Sequence, residues 1–346
     1  MNLEELVAIA ISQKASDLHL IAGRPPTIRV NTKLVILGQF GSGNYDQILT
    51  NILNPSQKNK LGAELQLDFA VNINSQRLRA SIYQSLTGLS CSFRLIPTEI
   101  PNKDSLGLPS NLDRLLHTSQ GIIFVTGPTG SGKTTTIASM LDEINHTQTK
   151  HILTIEDPIE YIFSPSSSIV SQREVGISAL DWQKALLVAM RQDPDVIMVG
   201  EIRDMDSLDF ALTLAETGHL VFTTLHAYCT PQAIERAISL FPPHHQDTTR
   251  IRLSMSLAAI ISQRLLPTIS DGRVLASEIL FNSTSIINLI RENKLFQIDT
   301  IIQTSANEGM RLLEDDLFTL YSTGKISQQI ALEASVRKSE FAKKFS

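Results

Sequence analysis

Cysteine is scarce in this chain of 346 residues, which contains only Cys91 and Cys229. Neither belongs to a Cys-x-x-Cys pair or to another spacing typical of metal ligands. A disulfide framework needs several paired cysteines, and a cysteine-based zinc site needs closely spaced ones. The composition therefore excludes both and indicates a reducing compartment.

Aromatic residues and excess positive charge are also lacking. Phe, Trp and Tyr make up 5% of the chain, and 30 Lys and Arg face 35 Asp and Glu, which gives a net charge of −5 at pH 7. Proteins that bind single strands stack bases on aromatic side chains, and nucleic-acid-binding domains carry a basic surface. We therefore expect no nucleic acid partner, and a DNA motor is the least favoured function.

Long apolar runs are absent as well. No segment reaches the roughly 18 consecutive apolar residues that a membrane-spanning helix requires. The first residues, MNLEELVAIAIS, carry two glutamates and no basic residue, whereas a signal peptide begins with positive charge. The sequence predicts a soluble cytoplasmic protein, and peripheral docking on a membrane complex stays open.

The chain is longer than one typical domain of roughly 100–200 residues, and its pattern changes along its length. Residues 1–95 are predicted to form a small mixed α/β domain, and the polar, proline-framed residues 96–109 a linker. From residue 110 to 346, short continuous apolar runs alternate with helical stretches, which is typical of a parallel sheet covered by helices on both faces. After about residue 245 the chain is predicted to be mostly helical.

The segment GPTGSGKT matches the phosphate-loop pattern GxxxxGK[ST] at every fixed position. It follows the apolar run GIIFVT and precedes a predicted helix, as the pattern requires. Backbone N–H groups in such a loop, together with the positive end of the following helix, attract phosphate oxygens. We expect Lys133 to reach the β- and γ-phosphates of a nucleotide and Thr134 to bind Mg²⁺. The expected nucleotide-binding residues are Gly127, Pro128, Thr129, Gly130, Ser131, Gly132, Lys133, Thr134 and Thr135.

Acidic residues follow two further apolar runs. Glu156, Asp157 and Glu160 come after ILTI, and Glu201 ends the run DVIMVG. Ligands of parallel sheets bind at the carboxyl ends of the strands. One of these carboxylates is expected to hold Mg²⁺ and another to polarise the attacking water. The acid in Glu201's position is more commonly Asp in P-loop ATPases.

Two histidines, His219 and His226, flank the apolar run LVFTTL. Their odd separation points them to opposite faces of a straight strand, so we do not expect them to bind one metal ion. His226, at the carboxyl end, is the better candidate for sensing the γ-phosphate.

The phosphate loop and the segments EDPIEY, VGEIRD and TGHLVFTTLHA occur together in this order. This set resembles the secretion ATPase superfamily, which drives type II secretion and type IV pili. ASDLHL, PPTIRV, FRLIP and INLIRENK resemble its pilus-retraction (PilT-type) subgroup. The chain also lacks the long N-terminal addition and the tetracysteine zinc module that are common among the extension and type II secretion relatives.

The resemblance implies a RecA-like P-loop NTPase domain, a smaller PAS-like N-terminal α/β domain and a helical C-terminal region. It implies a homohexameric motor that hydrolyses ATP with Mg²⁺ to retract type IV pili in twitching motility. Implied partners are an inner-membrane pilus platform protein and an extension ATPase or retraction paralogue. The implied site residues are Glu160 as general base, Glu201 as Walker B acid and Mg²⁺ ligand, His219 and His226 of the histidine box, Arg79 and Arg94 from the N-terminal domain, and Arg203.

One late motif departs from the subgroup. Its AIRNLIRE is SIINLIRE here, so that Ile287 replaces the first arginine while Arg291 and Glu292 remain. Because that motif is linked to retraction, two other functions stay open. They are the ATPase of a type IV secretion or conjugation apparatus and an accessory nucleotide-gated regulatory ring.

The linker is a candidate hinge. If closure of the N-terminal domain converts hydrolysis into work, shortening or stiffening residues 96–109 should uncouple force from ATP turnover. Unchanged motility in such a variant would contradict this hypothesis.

Overall fold

The computed structural model describes residues 2–30, 33–96, 99–270 and 272–345. They divide into two compact units. The first comprises Met1–Glu99 with Pro158–Ile162, and the second comprises Ile100–Asp157 with Phe163–Ser346. Within the described residues, no helix is both long and apolar enough to cross a membrane.

The described residues of the first unit form a six-stranded antiparallel sheet, in the order β3-β2-β1-β6-β5-β4. Its elements in chain order are α1 (Leu3–Ser12), β1 (Asp17–Leu20), β2 (Thr27–Val30), β3 (Lys33–Ile36), α2 (Asp46–Asn51), α3 (Pro55–Glu64), β4 (Gln66–Ile73), β5 (Gln76–Ser85) and β6 (Gly88–Leu95).

The period-two alternation of these strands separates an apolar face from a polar one. On β1, Leu18 and Leu20 are fully buried, whereas Asp17 and His19 lie on the opposite face and are half-buried. Buried residues of α1, such as Leu6, join the same core as Leu18 and Leu20. Because successive side chains of a strand point to opposite faces, the polar face is left available for charged residues.

The described residues of the second unit form a seven-stranded sheet, in the order β13-β12-β7-β11-β10-β8-β9. All neighbouring strands are parallel except β12 and β13. The elements are α4 (Asp113–Leu116), β7 (Gly121–Thr126), α5 (Lys133–Thr147), β8 (His151–Glu156), β9 (Ile169–Glu174), α6 (Trp182–Ala189), β10 (Val196–Glu201), α7 (Met205–Glu216), β11 (Leu220–Leu225), α8 (Thr230–Ser239), α9 (Pro243–Ser256), β12 (Leu257–Pro267), β13 (Arg273–Phe281), α10 (Thr284–Arg291), α11 (Ile298–Thr304), α12 (Leu313–Ser322), α13 (Gln328–Ala334) and α14 (Lys338–Phe341).

The central strands of this sheet are apolar throughout because both of their faces are covered. Every residue of β7 and of β11 is buried. The parallel sheet predicted from the continuous apolar runs is therefore confirmed. Since the central strands are parallel, the segments that follow β7, β8, β10 and β11 all emerge at the same edge of the sheet.

The prediction of mostly helical structure after residue 245 missed a long hairpin. Strands β12 and β13 lie within this region and extend the sheet beyond β7. A short apolar run such as LAAIIS does not distinguish a buried strand from a buried helix by periodicity, which is why the hairpin was missed. The helical C-terminal region is confirmed from Thr284 onward.

Much of the predicted linker is held by the second unit. Lys103 is only 7% exposed, and its Nζ lies 2.5 Å from Asp113 Oδ1 and 3.1 Å from Glu143 Oε1. These carboxylates belong to α4 and α5, so a buried lysine ties the linker to the helix that follows the phosphate loop. Pro97 and Thr98 of the linker lie outside the described residues.

Candidate nucleotide-binding site

The phosphate loop connects β7 to α5 through a backbone that only glycine accommodates at its start. Gly127 has a φ of +148°. A Cβ added there would overlap the backbone oxygen of Gln263 and lie 2.5 Å from Ser131 Oγ. Gly130 and Gly132 also have positive φ, at +79° and +85°. Positive φ favours glycine at all three positions, and at Gly127 the neighbouring atoms also leave no space for a side chain.

The lysine of the motif lies over the loop itself. Lys133 Nζ donates hydrogen bonds to the carbonyl oxygens of Gly127 and Pro128, each at 3.0 Å. Thr134 and Thr135 follow in the first turn of α5 and are half-buried. Among the residues that the structure describes, the buried hydroxyl of Ser131 has no hydrogen-bond partner. A helix start, a nearby ammonium group and an unpaired hydroxyl suit an anionic phosphate group.

Two side chains, those of His226 and Arg203, contact the Glu201 carboxylate at the end of β10. His226 Nε2 lies 2.8 Å from Glu201 Oε1, and Arg203 Nε donates to Glu201 Oε2, also at 2.8 Å. The structure therefore brings together three residues that the sequence analysis singled out. Since β10 and β11 are neighbours and β7 lies next to β11, this cluster is at the same sheet edge as the phosphate loop.

The backbone before Glu201 is irregular. The pairing of β10 with β11 shifts between Val199 and Glu201, which is a β-bulge. Thr224 Oγ1 donates to the Gly200 carbonyl at 2.8 Å, and a Cβ at Gly200 would approach Trp182 to 3.2 Å. A close approach of Trp182 thus accounts for glycine before the acid.

The acids of the EDPIEY segment differ in their surroundings. Glu156 is buried and accepts a hydrogen bond from Thr154 Oγ1 at 2.7 Å, which indicates a structural role. Glu160 is half-buried and lies in the 158–162 segment, which belongs to the first unit. Within that unit Arg77 Nε donates to the Ile159 carbonyl at 3.5 Å.

The two predicted arginines of the N-terminal domain are neighbours. Arg79 on β5 is paired directly with Arg94 on β6, so both side chains lie on the polar face of the sheet. Arg94 Nε donates to Asp17 Oδ1 at 3.2 Å, and Asp17 also lies 3.7 Å from Arg29. Positive and negative charges therefore alternate across these strands. Arg94 pairs with one acid, Asp17, while two thirds of the Arg94 side chain stays exposed.

His219 lies at the other edge of the sheet from the phosphate loop of the same chain. It precedes β11, and its Nδ1 lies 3.0 Å from the Leu214 carbonyl oxygen and 3.2 Å from Thr217 Oγ1. A role for His219 in nucleotide binding stays a prediction. Among the described residues, no three His, Cys, Asp or Glu side chains are grouped as for a metal ion.

The sequence analysis missed the contribution of β12 to the site. Gln263 contacts the phosphate loop, and Arg264 lines a cavity of about 320 Å³ beside Pro128–Ser131 and α13. Burial lowers the pKa of the Arg264 guanidinium from its ordinary value. The available signal was the polar pair Gln-Arg at the end of an apolar run, the same pattern that marked the acids.

The late motif forms an amphipathic helix, α10. Ile286 and Ile290 are fully buried, and Ile287 is half-buried. Arg291 Nε donates to Ser254 Oγ of α9 at 3.2 Å. The arginine that is retained thus joins α10 to α9.

Comparison with known proteins places the chain in a family. The family described as type II/IV secretion system protein matches residues 2–293, and the chain belongs to it. Over 336 residues the chain is 41% identical to the "Type IV pilus retractation ATPase PilT" of Pseudomonas aeruginosa, covering 96% of this chain and 98% of that protein. It is 39% identical over 323 residues to the "Twitching motility protein" of Neisseria gonorrhoeae, covering 92% of this chain and 86% of that protein.

A solved structure gives the same result. The crystal structure of the pilus retraction motor PilT with bound ADP superposes with a TM-score of 0.93 at 43% identity and covers 99% of each chain. These findings confirm the predicted resemblance and the predicted fold class.

Proposed function

We propose that this chain is an ATP-hydrolysing motor that powers type IV pilus retraction and hence twitching motility. The observation that carries the proposal is the phosphate loop with the Glu201–Arg203–His226 cluster at the same edge of one parallel sheet. Relatives named for pilus retraction and for twitching motility match nearly the whole chain, which supports it.

In the proposed reaction, water attacks the γ-phosphorus and the bond to the β–γ bridging oxygen breaks, giving ADP and phosphate. Lys133 exchanges its contacts with Gly127 and Pro128 for phosphate oxygens and offsets their charge. Glu160 accepts the proton of the attacking water as general base.

Thr134 and Glu201 would hold Mg²⁺, which when bound offsets charge on the β- and γ-phosphates. The fit rests on a hydroxyl in the first turn of α5 and a carboxylate at the same sheet edge. His226 and Arg203 hold the Glu201 carboxylate in one orientation. His226 also senses the γ-phosphate, because a change at Glu201 alters the contact between the two side chains.

The proposed assembly is a homohexamer on the cytoplasmic side of the inner membrane, docked on a pilus platform protein. An extension ATPase or a retraction paralogue acts on the same pilus. Arg79 and Arg94 supply positive charge to the phosphates, since guanidinium groups stay charged and match phosphate oxygens. Arg203 and His219 complete the proposed nucleotide-responsive set.

Phosphate release by the purified protein tests the proposal. We expect Mg²⁺-dependent release by the wild-type protein that chelation abolishes, and loss of nucleotide affinity in Lys133→Ala. Glu160→Gln should bind ATP but hydrolyse it about 10²–10⁴-fold more slowly, the usual worth of a general base. Glu64→Gln, at an exposed residue of the same unit, is the matched control and should hydrolyse normally.

Three outcomes would redirect the proposal. Equal phosphate release by Glu160→Gln and the wild type would remove Glu160 as base. Nucleotide binding without turnover by the wild-type protein would favour an accessory regulatory ring. In cells, deletion should abolish twitching while surface pili remain, and normal twitching with defective secretion or conjugation would favour a secretion ATPase.

A further inference from the structure

Strand β12 brings a buried glutamine against the phosphate loop. In the pairing of β12 with β7, Ser262 is level with Thr126, so that Gln263 follows at the level of Gly127. Gln263 is only 1% exposed. Its position in a strand far along the chain means that no phosphate-loop motif includes it.

Gln263 touches both ends of the loop. Its Nε2 donates a buried hydrogen bond of 2.7 Å to the Ser131 carbonyl oxygen. Its own backbone oxygen occupies the space that a Cβ of Gly127 would need, and its Nε2 lies 3.4 Å from the equivalent point at Gly132. Gln263 therefore contacts the loop at its first glycine and at its last, but not at Gly130 between them.

The hydrogen bond to Ser131 sets the orientation of a peptide group. In a trans peptide the carbonyl of one residue and the N–H of the next point in opposite directions. Because the Ser131 carbonyl points to Gln263, the N–H of Gly132 points away from β12. Phosphate loops bind through such N–H groups, so the glutamine selects a loop conformation before any nucleotide arrives.

We propose that Gln263 is a positioning residue of the nucleotide site, which holds the phosphate loop in its binding conformation. This inference rests on the proposed function. A glutamine that only joined β12 to the rest of the fold would be expected to have its polar atoms paired. Instead, Gln263 Oε1 and Ser131 Oγ are both buried without a hydrogen-bond partner among the described residues.

The chain offers a close control on the neighbouring residue. Ser262 Oγ lies 2.6 Å from Thr126 Oγ1 in a buried hydrogen bond between the same two strands, before the loop begins. Ser262→Ala therefore removes a buried contact of β12 with β7 without touching the loop.

ADP affinity and steady-state kinetics test the proposal. Gln263→Met keeps a similar volume but has no donor for the Ser131 carbonyl. We expect its ADP Kd and its ATP KM to rise about 10-fold, in line with the loss of one buried hydrogen bond, while kcat at saturating ATP changes less than about threefold. Ser262→Ala should bind ADP as the wild type does, although both variants melt at a lower temperature.

Wild-type ADP affinity in a folded Gln263→Met would overturn the proposal, and so would equal loss of affinity in Ser262→Ala. If Gln263→Met does not fold, Gln263→Leu takes its place, because leucine also has no donor for the Ser131 carbonyl and places no charge at this buried position. Failure of the wild-type protein itself to bind ADP would instead contradict the proposed function.

Discussion

Arg337, just before α14, connects three carboxylates from three different elements. Its guanidinium lies 3.0 Å from Glu278 Oε2 on β13, 2.5 Å from Asp299 Oδ1 on α11 and 2.7 Å from Glu314 Oε2 on α12. The side chain of Glu278 is fully buried and that of Glu314 is 6% exposed. Arg337→Met would leave these two acids buried without their cation.

The expected loss of stability follows from that burial. Removing one partner of a buried ion pair costs about 3–5 kcal/mol. Glu314 keeps hydrogen bonds from Ser335 Oγ and from the backbone N–H groups of Val336 and Arg337, which favours the lower end. At about 2–4 °C per kcal/mol for a unit of this size, the melting temperature should fall by about 10 °C.

The same contacts make this loss dependent on pH. Burial raises the pKa of Glu314, but hydrogen bonds from the Arg337 backbone and the charge of Arg337 outweigh it, so the pKa is lowered overall. A lowered pKa contributes stability that is present above the ordinary pKa, near 4.3, and is lost as the pH falls through the folded value. Arg337→Met keeps the backbone N–H but removes the charge and the side-chain hydrogen bond, so part of this contribution is lost. The difference in melting temperature between wild type and variant should therefore hold from pH 7.5 to pH 4.5 and narrow as the pH falls below about 4.3.

Thermal unfolding followed by circular dichroism measures both effects. Arg252→Met is the matched control, because Arg252 also pairs with two acids, Asp209 and Glu216, whose side chains are 50% and 34% exposed. Exposed pairs contribute about 0–1 kcal/mol, so the control should lose only a few degrees. Equal losses in the two variants, or a difference in melting temperature that widens as the pH falls below about 4.3, would refute the reasoning from burial.

Two further predictions concern the phosphate loop and the linker. Gly127→Ala should weaken ADP binding about 100-fold in titration calorimetry, since its Cβ meets a backbone oxygen. Gly130→Ala, with nothing within 4 Å of the added Cβ, should lose far less, and similar losses would contradict this account. Lys103→Met should lower the melting temperature by a few degrees, because Asp113 and Glu143 remain 44% and 30% exposed. If Lys103→Met lowered the melting temperature as much as Arg337→Met, the solvent exposure of the remaining acids would not limit the loss of stability.

Much of the fold and part of the site could be predicted because their signals are local. The apolar runs of β7 and β11 predicted buried parallel strands, and the motif from Gly127 to Thr134 predicted the loop and the start of α5. Glu201 and His226 were each predicted at a strand end. Parallel strands bring such ends to one edge of the sheet, so the contact between Glu201 and His226 followed from the strand order.

Other features had no local signal. The strand β12 was missed within a region predicted to be mostly helical, because its apolar run is compatible with either structure. Residues 158–162 belong to the first unit because of the surface that they pack against. The spacing of residues along the chain does not predict that surface. The adjacency of Arg79 and Arg94 needed the register of β5 and β6, which a single sequence leaves open.

The amino-acid sequence by itself determined the chemistry of this protein. A phosphate loop needs glycines that adopt positive φ angles and a lysine close to them in sequence. Both lie in one short segment, from Gly127 to Lys133. Only the tertiary structure decided which distant groups support that loop. Gln263 contacts Ser131 of the loop because the strand order places β12 next to β7. Away from the loop, helix packing likewise brings Arg337 to Glu278 and Glu314, which are far from it along the chain.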